Sequence, residues 1–229
     1  MKALTLFRTT LLTAGAMLCA SAGSLRGDDV QSWSALMLKH PVGENWTATW
    51  RVEPRFTNDV SKLGTVFTRA SLARKWNDST TLTMDYTHIE FDKYDATRGE
   101  NRFYQQNWLG AGFTSRFRVL PRWDFTSRNN VHLRWIEAGN SPNLRTRHYV
   151  EMAWRAENSR YLKGVYTGNE FFVEWANKAT RENRFTPLGV RVKTSPRTAM
   201  SFFYMIRSTK PGGNWTHAHV LGSYLTYSL

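Results

Sequence analysis

The stretch Trp46-Thr47-Ala48-Thr49-Trp50-Arg51-Val52-Glu53-Pro54-Arg55-Phe56 sorts its side chains into two kinds with a period of two. The apolar residues on one face are Trp46, Ala48, Trp50, Val52 and Phe56. Thr47, Thr49, Arg51, Glu53 and Arg55 fall on the other face. Because successive side chains of a β-strand point to opposite faces of the sheet, this alternation predicts a strand with one apolar and one charged face.

The pattern recurs along the chain between turn-forming residues. It is clear at 123–135 and 145–155. Weaker candidates lie at 30–38, 64–75, 80–91, 102–118, 162–174, 184–194, 198–208 and 216–229. Several of these segments exceed the average globular strand of about 5–6 residues and reach the roughly 9–11 residues that a tilted membrane strand needs. The chain is therefore predicted to be all-β.

Short links at 77–79, 120–122, 157–159 and 195–197 alternate with longer polar links around 92–101, 138–143, 176–183 and 208–214. Bacterial membrane barrels show this asymmetry between short periplasmic turns and longer outer loops. Such barrels also have an even number of strands, so the eleven segments favour ten strands, with 30–38 not spanning, or twelve, with 102–118 divided at its glycines. Pro187 predicts a bulge within its strand.

A soluble β-sandwich or lipocalin-like barrel shows the same alternation with its apolar face inward. Here the polar faces carry several arginines each and the apolar faces carry tryptophan, which favours a wet interior and a lipid-facing belt. Ten tryptophans combined with a negative mean hydropathy of −0.50 fit that arrangement. The predicted fold is a transmembrane, antiparallel, up-and-down β-barrel of 10–12 strands over residues 23–229.

Residues 1–22 have the features of a secretory signal peptide. Lys2 and Arg8 precede a short apolar run, and Ala20-Ser21-Ala22 offers a cleavage site. The one cysteine, Cys19, lies in this segment, so the predicted mature chain has no disulfide or cysteine-based site. Its 29 basic and 18 acidic residues make it strongly cationic. Export disfavours nucleic acid and leaves membrane surfaces or acidic solutes as partners.

The C-terminal stretch from Gly222 to Leu229 places Leu225, Tyr227 and Leu229 on one strand face. A glycine followed by alternating hydrophobic residues resembles the signal by which outer-membrane barrels are passed to the barrel assembly machinery. That signal usually ends in Phe, whereas this chain ends in Leu. Together with the signal peptide, this pattern predicts a location in the outer membrane, in contact with its lipid.

Several short motifs support a family resemblance. They are Gln31-Ser32-Trp33, Arg51 to Phe56, Asn101 to Gln106, Asn129 to Glu137, Asn169 to Phe172, Glu182 to Phe185 and the final strand. In their order and spacing, the mature chain resembles a family of uncharacterised Gram-negative proteins, catalogued as a domain of unknown function and regarded as outer-membrane β-barrels. The resemblance implies this fold and location, and it implies no activity.

The strand phases predict a charged lumen. The predicted basic lining residues are Arg51, Arg55, Arg69, Arg128, Arg134, Arg145, Arg147, Arg155 and Arg184, and Arg116 and Arg118 are further candidates. The predicted acidic residues are Glu53, Asp85, Glu151, Glu170 and Glu174. Two interpretations remain open. Paired charges would fill a closed structural or interaction barrel, whereas surplus arginines would line a narrow channel that prefers small anionic solutes.

Catalysis is the less favoured alternative. Outer-membrane acyl hydrolases use Ser and His on the outer wall, and neither Thr87-His88 nor Thr216-His217-Ala218-His219 is followed by the Ser-Asn pair that their motif needs. His217 and His219 share a face without an evident third metal ligand. Asp85, Glu90 and Asp92 are the acids nearest a protease-like rim, and loop charges explain them more simply. We therefore predict no enzymatic activity, no metal and no cofactor.

Overall fold

The computed structural model describes residues 28–95, 98–137, 142–177, 179–210 and 213–229, and eleven strands in these ranges form one closed barrel. The strands are β1 (Asp29–Pro41), β2 (Trp46–Thr57), β3 (Lys62–Lys75), β4 (Thr80–Asp95), β5 (Glu100–Leu120), β6 (Trp123–Ile136), β7 (Asn143–Arg155), β8 (Leu162–Glu174), β9 (Ala179–Lys193), β10 (Thr198–Thr209) and β11 (Thr216–Ser228). A 3-10 turn, Trp175–Asn177, follows β8. No helix in these ranges is long and apolar enough to cross a membrane.

The barrel closes through a parallel pair. β1 lies alongside β11 in the same direction, with Ser34 opposite Ser223 and their hydroxyl oxygens 3.2 Å apart. The other ten strand pairs are antiparallel. Because eleven is odd, the chain enters at one end of the barrel and leaves at the other. We call these ends the N-terminal rim, where β1 begins, and the C-terminal rim, where β11 ends.

The parallel closure corrects two predictions. The count of eleven from the sequence segments is right, and the adjustment to ten or twelve strands is wrong because β1 is a full strand of 13 residues. The barrel is also not wholly antiparallel. The 102–118 segment does not divide at its glycines, since β5 runs through them for 21 residues.

The predicted alternation of short and long links is wrong. Links at the C-terminal rim have two to six residues and links at the N-terminal rim have four to six. The expected long links around 92–101 and 176–183 are shorter because β4 continues to Asp95, β5 begins at Glu100 and β9 begins at Ala179. The bulge predicted at Pro187 is confirmed, since the register of β9 shifts there against both of its neighbours.

The two faces of the barrel wall differ sharply in polarity. Apolar side chains such as Met84, which is 64% exposed, stand on the outside of the wall. Charged side chains such as Glu53, which is 0% exposed, stand inside. This is the reverse of a lipocalin-like barrel, which holds its apolar face inward. The predicted signal peptide lies outside the described residues.

The parallel closure can be tested by a disulfide. In the S34C/S223C variant, the two cysteines are register partners, and the bond would link residues that are 189 positions apart. We expect the linked chain to run faster on a denaturing gel without reductant and to return to normal mobility with reductant. The control L38C/S223C puts the cysteines four positions out of register, beyond the reach of a disulfide. Equal crosslinking of both variants, or of the control alone, would contradict the closure.

Candidate functional site

The inward faces of β2 to β9 bring together the residues that the sequence predicted for the lumen. The nine arginines and five acids named above all point into the barrel interior, and each lies within 4.0 Å of an oppositely charged group. Every second residue of a strand points inward, so charged side chains of neighbouring strands meet inside the barrel. The interior therefore holds a network of ion pairs.

Glu170 on β8 is shared by three arginines from three other strands. Its carboxylate lies 3.1 Å from Arg128 on β6, 2.5 Å from Arg147 on β7 and 3.4 Å from Arg184 on β9. Glu170 is buried. A buried carboxylate requires such charge-assisted hydrogen bonds, because burial removes its hydration. Glu170 thus joins four strands through one carboxylate.

Glu182 and Glu174 extend the network toward the N-terminal rim. Glu182 lies 2.8 Å from Arg145, 2.7 Å from Arg184 and 2.9 Å from Arg207. Glu174 pairs with Arg134 and, at 3.1 Å, with Arg145. Arg145 therefore links the two acids. Since Arg184 also contacts Glu170, an unbroken chain of alternating charges crosses the interior.

Glu53 organises the charges beside the parallel seam. It accepts hydrogen bonds from Arg51 and, at 2.7 Å, from Arg55. The guanidinium carbon of Arg55 lies 3.8 Å from the ring centre of Trp33 on β1, and that of Arg51 lies 4.5 Å from the ring of Tyr224 on β11. These cation–π contacts tie β2 to both strands of the seam.

Asp85 is held by Arg69 at 3.4 Å and by the imidazole of His132 at 3.6 Å. His132 is buried on β6 and occupies space left by Gly110 on β5. A Cβ at Gly110 would approach the His132 ring to 2.5 Å, so no other residue fits there without displacing it. Gly110 is one of the glycines at which the sequence predicts a division of this strand, and it instead makes room for this buried contact.

The remaining predicted residues lie nearer the C-terminal rim. Glu151 accepts hydrogen bonds from Arg191 and from the Tyr149 hydroxyl, both at 2.5 Å. Arg155 lies 3.4 Å from Asp124 and donates to the carbonyl of Pro121. Of the two further candidates, Arg118 lies 3.9 Å from Asp124. Arg116 contacts only a hydroxyl among the described side chains, that of Thr126 at 3.4 Å.

A cavity of about 560 Å³ occupies the half of the interior toward the C-terminal rim. Its lining begins near the strand ends with Lys39, Arg116 and Lys163. It ends at mid-height with Trp33 and Trp108. The buried ion pairs around Glu174 and Glu182 fill the interior beyond that level. The cavity thus opens toward one rim and is blocked toward the other.

Sequence reasoning missed three members of the network: Glu182, Arg191 and Arg207. Glu182 precedes Arg184 by two positions and shares its face, but the predicted strand began only at residue 184. Arg191 lies beyond the Pro187 bulge, which shifts the inward face by one residue. A predicted strand that began before Glu182, and whose inward face changed by one residue after Pro187, would have included both. Arg207 lies on the inward face of β10, opposite Arg184.

The candidate histidines of the outer wall form separate pairs. His88 contacts Asn107 at 2.9 Å, His217 contacts Ser208 at 2.9 Å, and His219 contacts Tyr204 at 2.6 Å. Thr87, by contrast, points inward to Asp85. Glu90 lies 3.6 Å from His88, and Asp92 pairs with Lys62. Among the described residues, no group of three or more His, Cys, Asp or Glu side chains could hold a metal.

The C-terminal pattern lies on β11. Gly222 points inward beneath the Phe203 ring, where a Cβ would come within 1.9 Å of the ring. An aromatic ring that covers a strand glycine pins the register of the two strands. Leu225 and Tyr227 point outward, and Leu229 follows the strand and is exposed.

Comparison with protein families identifies a match over residues 30–218 to a family described as Protein of unknown function (DUF2490). The chain belongs to this family. A comparison with the curated proteins found no match. The matched range covers β1 to the start of β11 and contains every carboxylate and arginine of the interior network.

Removing the shared carboxylate tests the network. E170Q leaves Arg128, Arg147 and Arg184 near a neutral amide, and uncompensated buried charge of this kind costs roughly 3–5 kcal/mol. We expect a correspondingly lower free energy of unfolding in urea. The matched control E157Q removes the exposed carboxylate that lies 3.2 Å from Arg122. We expect this variant to lose less than about 1 kcal/mol of its free energy of unfolding. Equal losses in the two variants would refute a special role for Glu170.

Proposed function

We propose that the chain is an outer-membrane β-barrel whose interior is closed by ion pairs, and that it acts as a structural and binding protein with no catalytic step. The observation that carries the membrane proposal is the outward apolar surface. Eight of the eleven strands, β1 to β7 and β9, expose large apolar side chains. Examples are Leu36, Trp50, Leu72, Met84, Leu109, Val131, Val150 and Leu188. A water-soluble protein rarely exposes a contiguous apolar surface of this extent.

Exposed tryptophans near the two rims support the same proposal. Trp46, Trp76 and Trp123 lie toward the C-terminal rim. Trp135, Trp175 and Trp215 lie toward the N-terminal rim. Aromatic girdles of this kind mark the two membrane–water interfaces of transmembrane barrels. The proposed partners on the outside are therefore outer-membrane lipid and, during assembly, the machinery that would read the β11 pattern.

The size of the barrel permits a closed interior, and the size of the inward side chains supports one. About eight strands give an interior that side chains fill, whereas sixteen to eighteen leave an aqueous channel. Eleven strands lie between these limits. Toward the N-terminal rim, the long side chains of Arg134, Arg145, Glu174 and Glu182 are all buried against one another. They block a path along the barrel axis among the described residues.

An outer-wall charge tests the membrane location. Leu109 is 52% exposed near the middle of β5, and an arginine on the lipid face near the bilayer midplane costs about 2–4 kcal/mol. We expect L109R to make the free energy of folding into lipid vesicles less favourable by this amount. The control V42R places the same charge at an exposed link on the C-terminal rim, where we expect at most about 1 kcal/mol. Equal stability of L109R and wild type, or recovery of the wild-type protein as a soluble periplasmic species, would contradict the proposal.

The second candidate function is an anion-preferring channel, which the surplus of arginine over carboxylate favours. A conductance measurement separates this channel from the closed barrel. In planar bilayers, we expect no stepwise conductance from the wild type. We expect steps with a reversal potential shifted toward that of the anion from R134A/E174A, which removes one buried pair from the blocked half. Steady anion-selective steps from the wild type would replace the closed barrel with the channel. If R134A/E174A folds correctly and shows no conductance, the assignment of the closed part of the barrel to this half would be contradicted.

A further inference from the structure

The cavity toward the C-terminal rim has a marked imbalance of charge. Nine cationic side chains line it, whereas only two carboxylates do. The cationic residues are Lys39, Arg51, Arg55, Arg116, Arg128, Arg147, Lys163, Arg184 and Arg191. The carboxylates are Glu151 and Glu170. Glu53, which is buried inside the barrel next to the lining, neutralises a further part of the positive charge through Arg51 and Arg55. The cavity therefore has a strong positive potential that low-dielectric walls focus toward its opening.

Three of these cations form the mouth of the cavity and have no acidic partner within 4.0 Å among the described residues. They are Lys39 on β1, Arg116 on β5 and Lys163 on β8, and all three are exposed. They come from widely separated strands, so they surround the opening. A ring of unpaired like charges around a cavity is relieved by an anion that binds between them.

The deeper wall offers preorganised donors. Aromatic rings lie beneath several guanidinium groups. Arg191 lies 4.2 Å from the Tyr166 ring, Arg128 lies 4.7 Å from the Tyr149 ring, and Arg184 lies 4.5 Å from the Phe172 ring. Stacking and the carboxylate contacts fix each planar group, so little side-chain freedom is lost when it binds a ligand.

We propose that this cavity binds a small organic polyanion that carries two or more carboxylates on a ring scaffold. The inference rests on the closed interior of the proposed function, because a blind cavity retains a ligand that an open pore would pass. A volume of about 560 Å³ suits a ligand of two or three rings. Carboxylates match the mouth and the arginine forks, and the apolar side chains of Met37, Phe203 and Met205 in the lining offer surface for the rings. A short uronic acid oligosaccharide has this chemistry.

Titration calorimetry on the full barrel folded in detergent tests the proposal with digalacturonate as the probe. We expect saturable binding that weakens as sodium chloride is added, because exposed charges are screened. The dimethyl ester of digalacturonate keeps the rings and removes the charge, and we expect it not to bind. Inorganic phosphate keeps the charge and removes the rings, and we expect it to bind at least ten-fold more weakly.

The mouth variants K39Q, R116Q and K163Q locate the site. Exposed charge contacts of this kind correspond to a loss of affinity of about two-fold to five-fold each, and the triple variant should lose at least about eight-fold. Arg122 lies on the same rim outside the cavity lining, and R122Q should retain wild-type affinity. Heat-modifiable gel mobility confirms that each variant folds, so lost binding reports on the mouth.

Three results would overturn the inference: no binding of digalacturonate, equal binding of its ester, or affinity that is the same in the triple mouth variant and in R122Q. Equal affinity for phosphate would overturn the organic class of ligand. These outcomes are independent of the membrane location, because the barrel is studied in detergent. Binding by a protein found soluble in the periplasm would overturn the location alone, and loss of binding with intact membrane insertion would overturn the cavity alone.

Discussion

Ten buried or half-buried arginines share six carboxylates inside this barrel, and the rest of the structure depends on that sharing. A buried guanidinium without a partner is costly. With fewer acids than bases, most of these carboxylates pair with more than one arginine. Glu170 and Glu182 each contact three arginines, and Arg184 and Arg145 join these two acids and Glu174 into one connected group.

Such a network specifies the arrangement of the strands more than it stabilises the barrel. Buried ion pairs gain little net free energy over packed apolar residues, yet breaking one is expensive. A slip of one residue between β7 and β8 would turn Glu170 outward and leave its arginines without a partner. The aromatic rings over Gly189 and Gly222 act in the same way, since Tyr166 and Phe203 fit only where their strand partners lack a Cβ. Charge and shape therefore fix the same register.

Much of the fold could be predicted from the sequence, because period-two patterning marks each strand. The segments 46–56 and 162–174 differ from β2 and β8 by at most one residue. The parallel closure could not be predicted, because the alternation within a terminal strand is the same whichever strand it pairs with. In the site, predicted inward positions such as Arg147 and Glu170 follow directly from strand phase. Arg191 does not, because the bulge at Pro187 reverses the phase, and His132 has a partner only because Gly110 makes room for it.

The division of the interior into a filled half and a hollow half follows from side-chain size. Toward the C-terminal rim, inward positions carry small residues such as Thr114, Thr126, Ala199, Ser201 and Thr226, all of which line the cavity. Toward the N-terminal rim, the equivalent positions carry long arginines and glutamates. A barrel that needed only rigidity would gain from packing both halves to the density of protein interiors. Small inward residues beneath a mouth of unpaired cations leave space and positive charge in the same half of the barrel, and the proposed binding of an anion requires both.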